Sequence, residues 1–149
     1  MMKKILIWFL CLSFLGIQFL KAEEKFLSLK KNKVNVRYGP SFDSKIKYIY
    51  KKINLPVKQI DKKENFRRIV DLKNNSGWIH ISQVKKSNSI IILEDKIIYK
   101  KASNFSKPVA RLEKGRLLVV KKCKRKWCNV RTDDYSGWVK AENIWGSIK

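Results

Sequence analysis

The chain repeats itself at a spacing near sixty residues, and this restricts its architecture more than any other feature. Ser76-Gly77-Trp78-Ile79 returns as Ser136-Gly137-Trp138-Val139, an offset of 60. Phe66-Arg67-Arg68-Ile69 aligns with Trp127-Cys128-Asn129-Val130 at 61, and Leu55 to Ile60 aligns with Arg116 to Lys121 at the same offset. Asn54 then matches Gly115, two residue types that tolerate positive φ. The first halves agree more loosely, Val36-Arg37-Tyr38-Gly39-Pro40-Ser41 against Ile98-Tyr99-Lys100-Lys101-Ala102-Ser103. One unit covers residues 27–85 and the other 89–147, with the polar stretch from Lys85 to Ser89 as the joint. A domain of about sixty residues buries only about 60% of its unfolded surface, so either unit alone is marginal.

Each unit reads as short strands. Val34-Asn35-Val36-Arg37 alternates and stops at the turn pair Gly39-Pro40. Ile46 to Tyr50 is aromatic and β-branched, Ile69 to Leu72 runs into the turn signal Asn74-Asn75-Ser76-Gly77, and Trp78 to Ile81 follows. The second unit offers Ile90 to Ile92, Leu117 to Val120, Trp127 to Arg131 and Trp138-Val139, with Asp133-Asp134 as a hairpin turn. After residue 24 no stretch sustains a 3.6-residue apolar period. The pattern predicts an all-β chain of two small β-barrels in tandem.

Upstream of the repeats, Lys3 and Lys4 precede an apolar run from Ile5 to Leu20, and Lys21-Ala22 follows. A basic start, an apolar stretch and a small residue describe a secretory signal peptide over residues 1–22. As a helix the run spans about 24 Å, short of the roughly 30 Å hydrocarbon core. An uncleaved membrane anchor is the alternative, and either reading exports the repeats, to the periplasm in a Gram-negative cell. Cleavage after Ala22 leaves Cys123 and Cys128 as the cysteines of the mature chain. An even count in an exported chain favours a disulfide. The strands Leu117–Lys122 and Trp127–Arg131 predict a hairpin with a Lys124–Trp127 loop, which sets the two cysteines opposite each other.

The ordered set Asn35-Val36-Arg37-x-Gly39-Pro40, a turn residue before an apolar strand, an aromatic-x-x-Ile/Val and then Gly-Trp-Ile/Val resembles the bacterial SH3 domain family. The resemblance covers nearly all of residues 27–147, twice. The second unit lacks the Asn-Val-Arg-x-Gly-Pro segment but keeps Gly115, Trp127, Val130 and Gly137-Trp138, and it adds the two cysteines and a terminal Trp145-Gly146. Asn54 stands where the family carries Gly in the first unit. The combination is similar to the tandem proteins of this family that Gram-negative cells, especially alphaproteobacteria, export. The resemblance implies half-open barrels of five or so strands that bind cell-wall or protein ligands, with no catalytic residues.

The chemical inventory points the same way. A single His, few and scattered carboxylates and no glycine-rich phosphate loop leave no evident triad or nucleotide site. Metal binding would need Cys123, Cys128, His80 and a fourth ligand, and Cys-x4-Cys is a loose spacing for zinc, so the reading includes neither metal nor cofactor. His80 lies two residues after Trp78 and shares its face of a strand. Trp78, Trp127 and Trp138 hold repeated strand positions and are expected in the core. Tyr38, Phe42, Tyr48 and Tyr135 lie near loops, where an SH3-like fold builds its groove, although a core role is the commoner fate of any one aromatic.

The formal net charge is +23, with 35 Lys and Arg against 12 Asp and Glu. Lys121, Lys122, Lys124, Arg125 and Lys126 fall within eight residues at the expected hairpin tip. They read as attraction to a polyanion, or else as a solvated face enlarged by a bias toward Lys. A cell-wall polymer or an envelope protein is the leading partner, and an anionic membrane surface is a further one. Nucleic acid ranks below these for an exported chain. The reading is thus a non-enzymatic binding module. The alternatives are a nucleic-acid-binding barrel, if export fails, and an accessory subunit of a cell-wall hydrolase.

Overall fold

Gly77 and Gly137 explain the most regular motif of the repeat. In the computed structural model, which describes residues 24–147, a Cβ on Gly77 would sit 2.4 Å from Val36 Cγ1 and 3.0 Å from the Arg37 carbonyl. On Gly137 it would meet Ile98 Cγ2 at 2.5 Å and the Tyr99 carbonyl at 2.6 Å. Only glycine lets these two strands approach so closely. The next residue but one, Ile79 or Val139, is then fully buried.

The first unit forms β1 (Lys25–Leu29), β2 (Val34–Arg37), β3 (Ile46–Tyr50), β4 (Pro56–Lys63), β5 (Phe66–Val70), β6 (Ser76–His80) and, after a 3-10 turn at Ile81–Gln83, β7 (Val84–Lys86). The second forms β8 (Ser89–Ile92), β9 (Lys96–Tyr99), β10 (Pro108–Leu112), β11 (Leu117–Lys124), β12 (Trp127–Arg131), β13 (Ser136–Lys140) and β14 (Ile144–Gly146). Each is one antiparallel seven-stranded sheet, ordered β3-β2-β6-β5-β4-β1-β7 and β10-β9-β13-β12-β11-β8-β14. The two orders are the same path traced twice. The architecture is therefore the expected all-β pair of SH3-like barrels, with seven short strands in each where about five were anticipated. The proposed signal segment, residues 1–22, lies outside the described residues.

Two separate cores follow. Leu29, Val34, Val36, Val57, Ile69 and Ile79 are fully buried in the first barrel, and Ile90, Ile92, Ile98, Leu118, Val130 and Val139 in the second. Most are β-branched, as a pleated and half-buried surface favours. Asn54 and Gly115 occupy the same corner with φ of 62° and 88°. Their N–H groups donate to the carbonyls of Leu29 and Ile92 at 2.9 and 2.8 Å. The alignment of those two residues is a structural equivalence.

The tryptophans depart from expectation. Trp78, Trp127 and Trp138 are half-buried on the outer faces, while Gly77, Ile79, Cys128 and Val139 point inward. The parity is set by the glycine, which must face the crowded side, so Trp78 and His80 share the opposite one. His80 lies under Phe42, ring centroids 4.8 Å apart, with its Nδ1 2.8 Å from Ser82 Oγ.

The barrels are joined through buried polar contacts. The Ser28 and Ser89 hydroxyls lie 2.6 Å apart, and Ser89 Oγ donates to the Asn54 carbonyl. Trp145 Nε1 of the second barrel donates to the Pro56 carbonyl of the first at 3.2 Å. Its ring meets Phe26 edge-on at 5.1 Å.

Candidate functional site

Arg37 builds one wall of a groove on the first barrel. It ends β2 at a bulge between Val36 and Arg37. Its Nη1 donates to the carbonyls of Phe42 and Ser44 at 2.9 and 2.7 Å. Those bonds fold the loop back over the sheet, and Tyr38 N closes it on the Lys45 carbonyl at 3.1 Å. The Asn-Val-Arg-x-Gly-Pro segment is thus a folding device. Val36 fills the core, Arg37 ties the loop, and Gly39 leaves room for Ser44, whose Oγ would lie 2.7 Å from a Cβ there.

Across the outer face, Trp78 on β6 is in register with Arg37 on β2 and with Arg68 on β5. An indole therefore stands between two guanidinium-bearing positions. Lys47 adds a third cation, bonded to the Ser76 carbonyl at 2.9 Å, with its Nζ 5.6 Å from the ring centre of Tyr38. Tyr38 is 67% exposed. Together these side chains line a recess of about 250 Å³. Guanidinium groups donate paired hydrogen bonds to carboxylates or phosphates, and an exposed aromatic offers a flat apolar face beside them.

The other expected groove aromatics disperse. Phe42 packs beside the recess on Phe66, centroids 5.2 Å apart, with the Arg37 guanidinium 5.7 Å from its ring centre. Tyr48 turns the other way and packs against the first core with Tyr50. The Tyr50 hydroxyl donates to Asp71 at 3.0 Å, and burial pushes its ionisation far upward. Asp71 in turn accepts the N–H groups of Lys73 and Asn75, both at 2.9 Å, and so shapes the β5–β6 turn. Tyr135 belongs to the second barrel, at the β12–β13 turn, where Thr132 Oγ1 accepts from Asp134 and Tyr135 in the role of Asp71. The sequence pattern alone sends Trp78 to the core and does not assign Lys47 or Arg68 to a groove. The close crossing of Val36 over Gly77 turns Trp78 outward, and the register of β2, β5 and β6 then brings Arg37 and Arg68 beside it.

In the second barrel the corresponding row is Tyr99, Trp138 and Asn129, so both arginines are gone. Its cations have moved to the β11–β12 hairpin. Cys123 pairs with Cys128 and Lys124 with Trp127, which leaves a loop of only Arg125-Lys126, shorter than expected. The disulfide joins the two cysteines, with Cα atoms 4.1 Å apart. Lys121, Lys122, Lys124, Arg125 and Lys126 are all exposed. None of them takes part in an ion pair among the described residues. Lys122 reaches back over Trp138, 5.9 Å from its ring centre. The first barrel's hairpin has Lys62 opposite Arg67 where the second has the disulfide. Arg67 donates there to the carbonyls of Glu64 and Phe66.

Among the described residues, no helix is long and apolar enough to cross a membrane, and no group of three or more His, Cys, Asp or Glu could hold a metal ion.

Two copies of a small seven-stranded barrel, each with the glycine crossing and the left-handed corner residue, define a tandem SH3-like protein. The bacterial SH3 domain model matches residues 30–86 and 95–146, and the chain belongs to that family. Domains of this family are typically non-catalytic binding modules. No curated protein matches the sequence. Among solved structures, the chain is similar to NlpC2 from Trichomonas vaginalis, with 11% identity over 83% of this chain and 48% of that one, and a TM-score of 0.39. NlpC1 from the same organism gives 12% identity, 83% and 46% coverage, and a TM-score of 0.38. The chain spans less than half the length of either.

Proposed function

We propose that the chain is an exported, non-catalytic module that binds cell-wall polymer, using the basic and aromatic face of its first barrel. The observation that carries this reading is the row Arg37, Trp78 and Arg68, in register across three strands with Lys47 and Tyr38 alongside. Such a row suits a ligand that alternates flat, weakly polar surface with carboxylates, as peptidoglycan does with its sugars and peptide acids. Membership of a family of binding modules supports the same reading. Export rests on residues 1–22, with cleavage after Ala22 placing the mature chain in the periplasm.

The test is retention of the mature chain on purified peptidoglycan sacculi across a salt series. Replacing Arg68 by Gln and Tyr38 by Ser removes two exposed groups and spares Arg37, which the loop needs. A hydrogen bond to a charged group contributes about 1.5–3 kcal/mol, so the double variant should lose about tenfold in affinity or more. Unchanged retention, or an intact Met1 start on the protein recovered from the periplasm, would contradict the groove and the cleavage after Ala22 respectively.

A further inference from the structure

We propose that the cleft between the two barrels is a second binding site, one that takes an anionic sugar chain carrying carboxylates and hydroxyls. The cleft lies where the β3–β4 turn of the first barrel meets the β10–β11 turn and the end of β12 of the second. Its volume is about 680 Å³, within the roughly 300–1,000 Å³ of ordinary ligand sites. Lys51 and Lys52 line it from one barrel, and Arg116 and Arg131 from the other. Asp133 is the only carboxylate on the lining. Arg116 shares its charge with Asp134 at 3.3 Å, while the other three cations form no ion pair among the described residues.

The repeat supplies a comparison inside the molecule. Arg116 and Leu55 are equivalent, since their carbonyls accept the N–H groups of Ile92 and Leu29 in the two barrels. Arg131 and Val70 are also equivalent, paired with Ser136 and Ser76. Where the second barrel faces the cleft it has a guanidinium, and at the same fold position the first barrel has an aliphatic side chain. Neither the fold nor a general excess of lysine calls for arginine at these two points.

Asn54 adds a second, independent observation. Its N–H donates to Leu29 and its carbonyl accepts from Ser89, so its backbone is fully used. Its side-chain Oδ1 is buried and has no hydrogen-bond partner, and the residue lines the cleft. A buried acceptor without a partner is uncommon in folded proteins. The cations call for carboxylates, and Asn54 beside them on the lining can hydrogen-bond a hydroxyl through its side-chain amide N–H. No aromatic side chain lines the cleft, so recognition is by charge and hydrogen bonding rather than by stacking. A sugar acid holds a carboxylate and hydroxyl donors on one rigid ring. An acidic peptide carries its carboxylates on flexible side chains and loses more conformational freedom on binding.

The experiment titrates tetragalacturonate, with tetraglutamate as the acidic-peptide comparison, against the 15N-labelled mature protein at physiological salt. The sugar acid should shift the amide resonances of Asn54, Gly115 and Arg131. Arg116→Gln with Arg131→Gln should weaken it at least tenfold. Asn54→Gly keeps the positive φ that Gly115 adopts at the same corner, so it should fold, and it too should weaken the sugar acid. Arg68→Gln, in the groove of the first barrel, should leave this binding intact, which separates failure here from failure of the cell-wall reading. Equal or tighter binding of tetraglutamate would overturn the choice of ligand. The absence of shifts at the cleft, or shifts that survive both sets of substitutions, would overturn the site.

Discussion

The hydroxyls of Ser28 and Ser89 meet at 2.6 Å, fully buried, across the junction of the two barrels. Ser89 spends its single proton on the Asn54 carbonyl, so Ser28 must donate to Ser89. Ser28 in turn accepts from Asn88 N at 3.2 Å. A directed chain of hydrogen bonds therefore runs from the linker through both barrels to the corner at Asn54.

Breaking that chain should be costly. Ser89→Ala strands the Ser28 hydroxyl and the Asn54 carbonyl, and an unsatisfied buried polar group costs about 1–3 kcal/mol. Urea unfolding should show a loss in that range. Ser82→Ala, at an exposed site, should stay within about 0.5 kcal/mol of the parent. Equal effects at the two sites would mean that the chain of bonds contributes nothing.

Removing the disulfide should weaken the second barrel alone. Cys123 is exposed and Cys128 fully buried, so alanine at both avoids burying a hydroxyl. A loop this short gives about 2 kcal/mol in the chain-entropy model. The double alanine variant should therefore lose about that much, seen as earlier melting of resonances from residues 89–146. A thiol reagent added to the unfolded, unreduced mature protein should find no free thiol.

Attraction to anionic envelope surfaces, apart from cell-wall polymer held on the first barrel's face, should concentrate at the second hairpin. Lys121, Lys122, Lys124, Arg125 and Lys126 face solvent, where charges are screened beyond roughly 8 Å at physiological salt. The first hairpin mixes Asp61 and Glu64 with its lysines. Serine at Lys122, Lys124 and Lys126 should flatten the salt dependence of binding to anionic envelope material. Serine at Lys62 and Lys63 should change it much less. Slope changes in proportion to the number of lysines removed, three against two, would show that only net charge matters.

The second barrel should also lose stability in acid. Asp95 accepts the Lys114 N–H and pairs with Arg111, and these hold its carboxyl below the ordinary 3.8. Glu94 is lowered by its bonds to Lys96 and Asn143. The folded state thus keeps both charges at a pH where the unfolded chain has begun to take up protons. Their contribution is present above about pH 4 and fades as the pH falls through the depressed folded values. Asp95→Asn should lower the melting temperature at pH 6, and the gap to the parent should close toward pH 2. A gap that stays constant would exclude Asp95 as a titrating contributor.

The repeat, the barrels and the cross-strand cysteine pair were legible because each rests on a local rule. Asn54 and Gly115 mark a left-handed corner, and a short hairpin sets Cys123 against Cys128. The outer face was not legible. Gly-Trp-Ile alternates correctly with either side inward, and only the close crossing of Val36 over Gly77 fixes the choice. Bulges at Ile60 and Lys121 reset the alternation again within the longest strands. Arg37, Arg68 and Trp78 are far apart in sequence, and their register appears only once β2, β5 and β6 are laid side by side. The cleft at Arg116 and Arg131 depends on how the barrels meet, which no single repeat encodes.

Lys62 opposite Arg67 and Cys123 opposite Cys128 occupy one position of the fold. In one barrel the two strands are held there by a covalent bond, and in the other two like charges face each other across the ladder, which is unfavourable. The first hairpin should therefore open locally far more often, and its tip amides should exchange with deuterium sooner. A reductant should accelerate exchange only in the second hairpin, so each molecule carries its own unstapled reference for the effect of the bond.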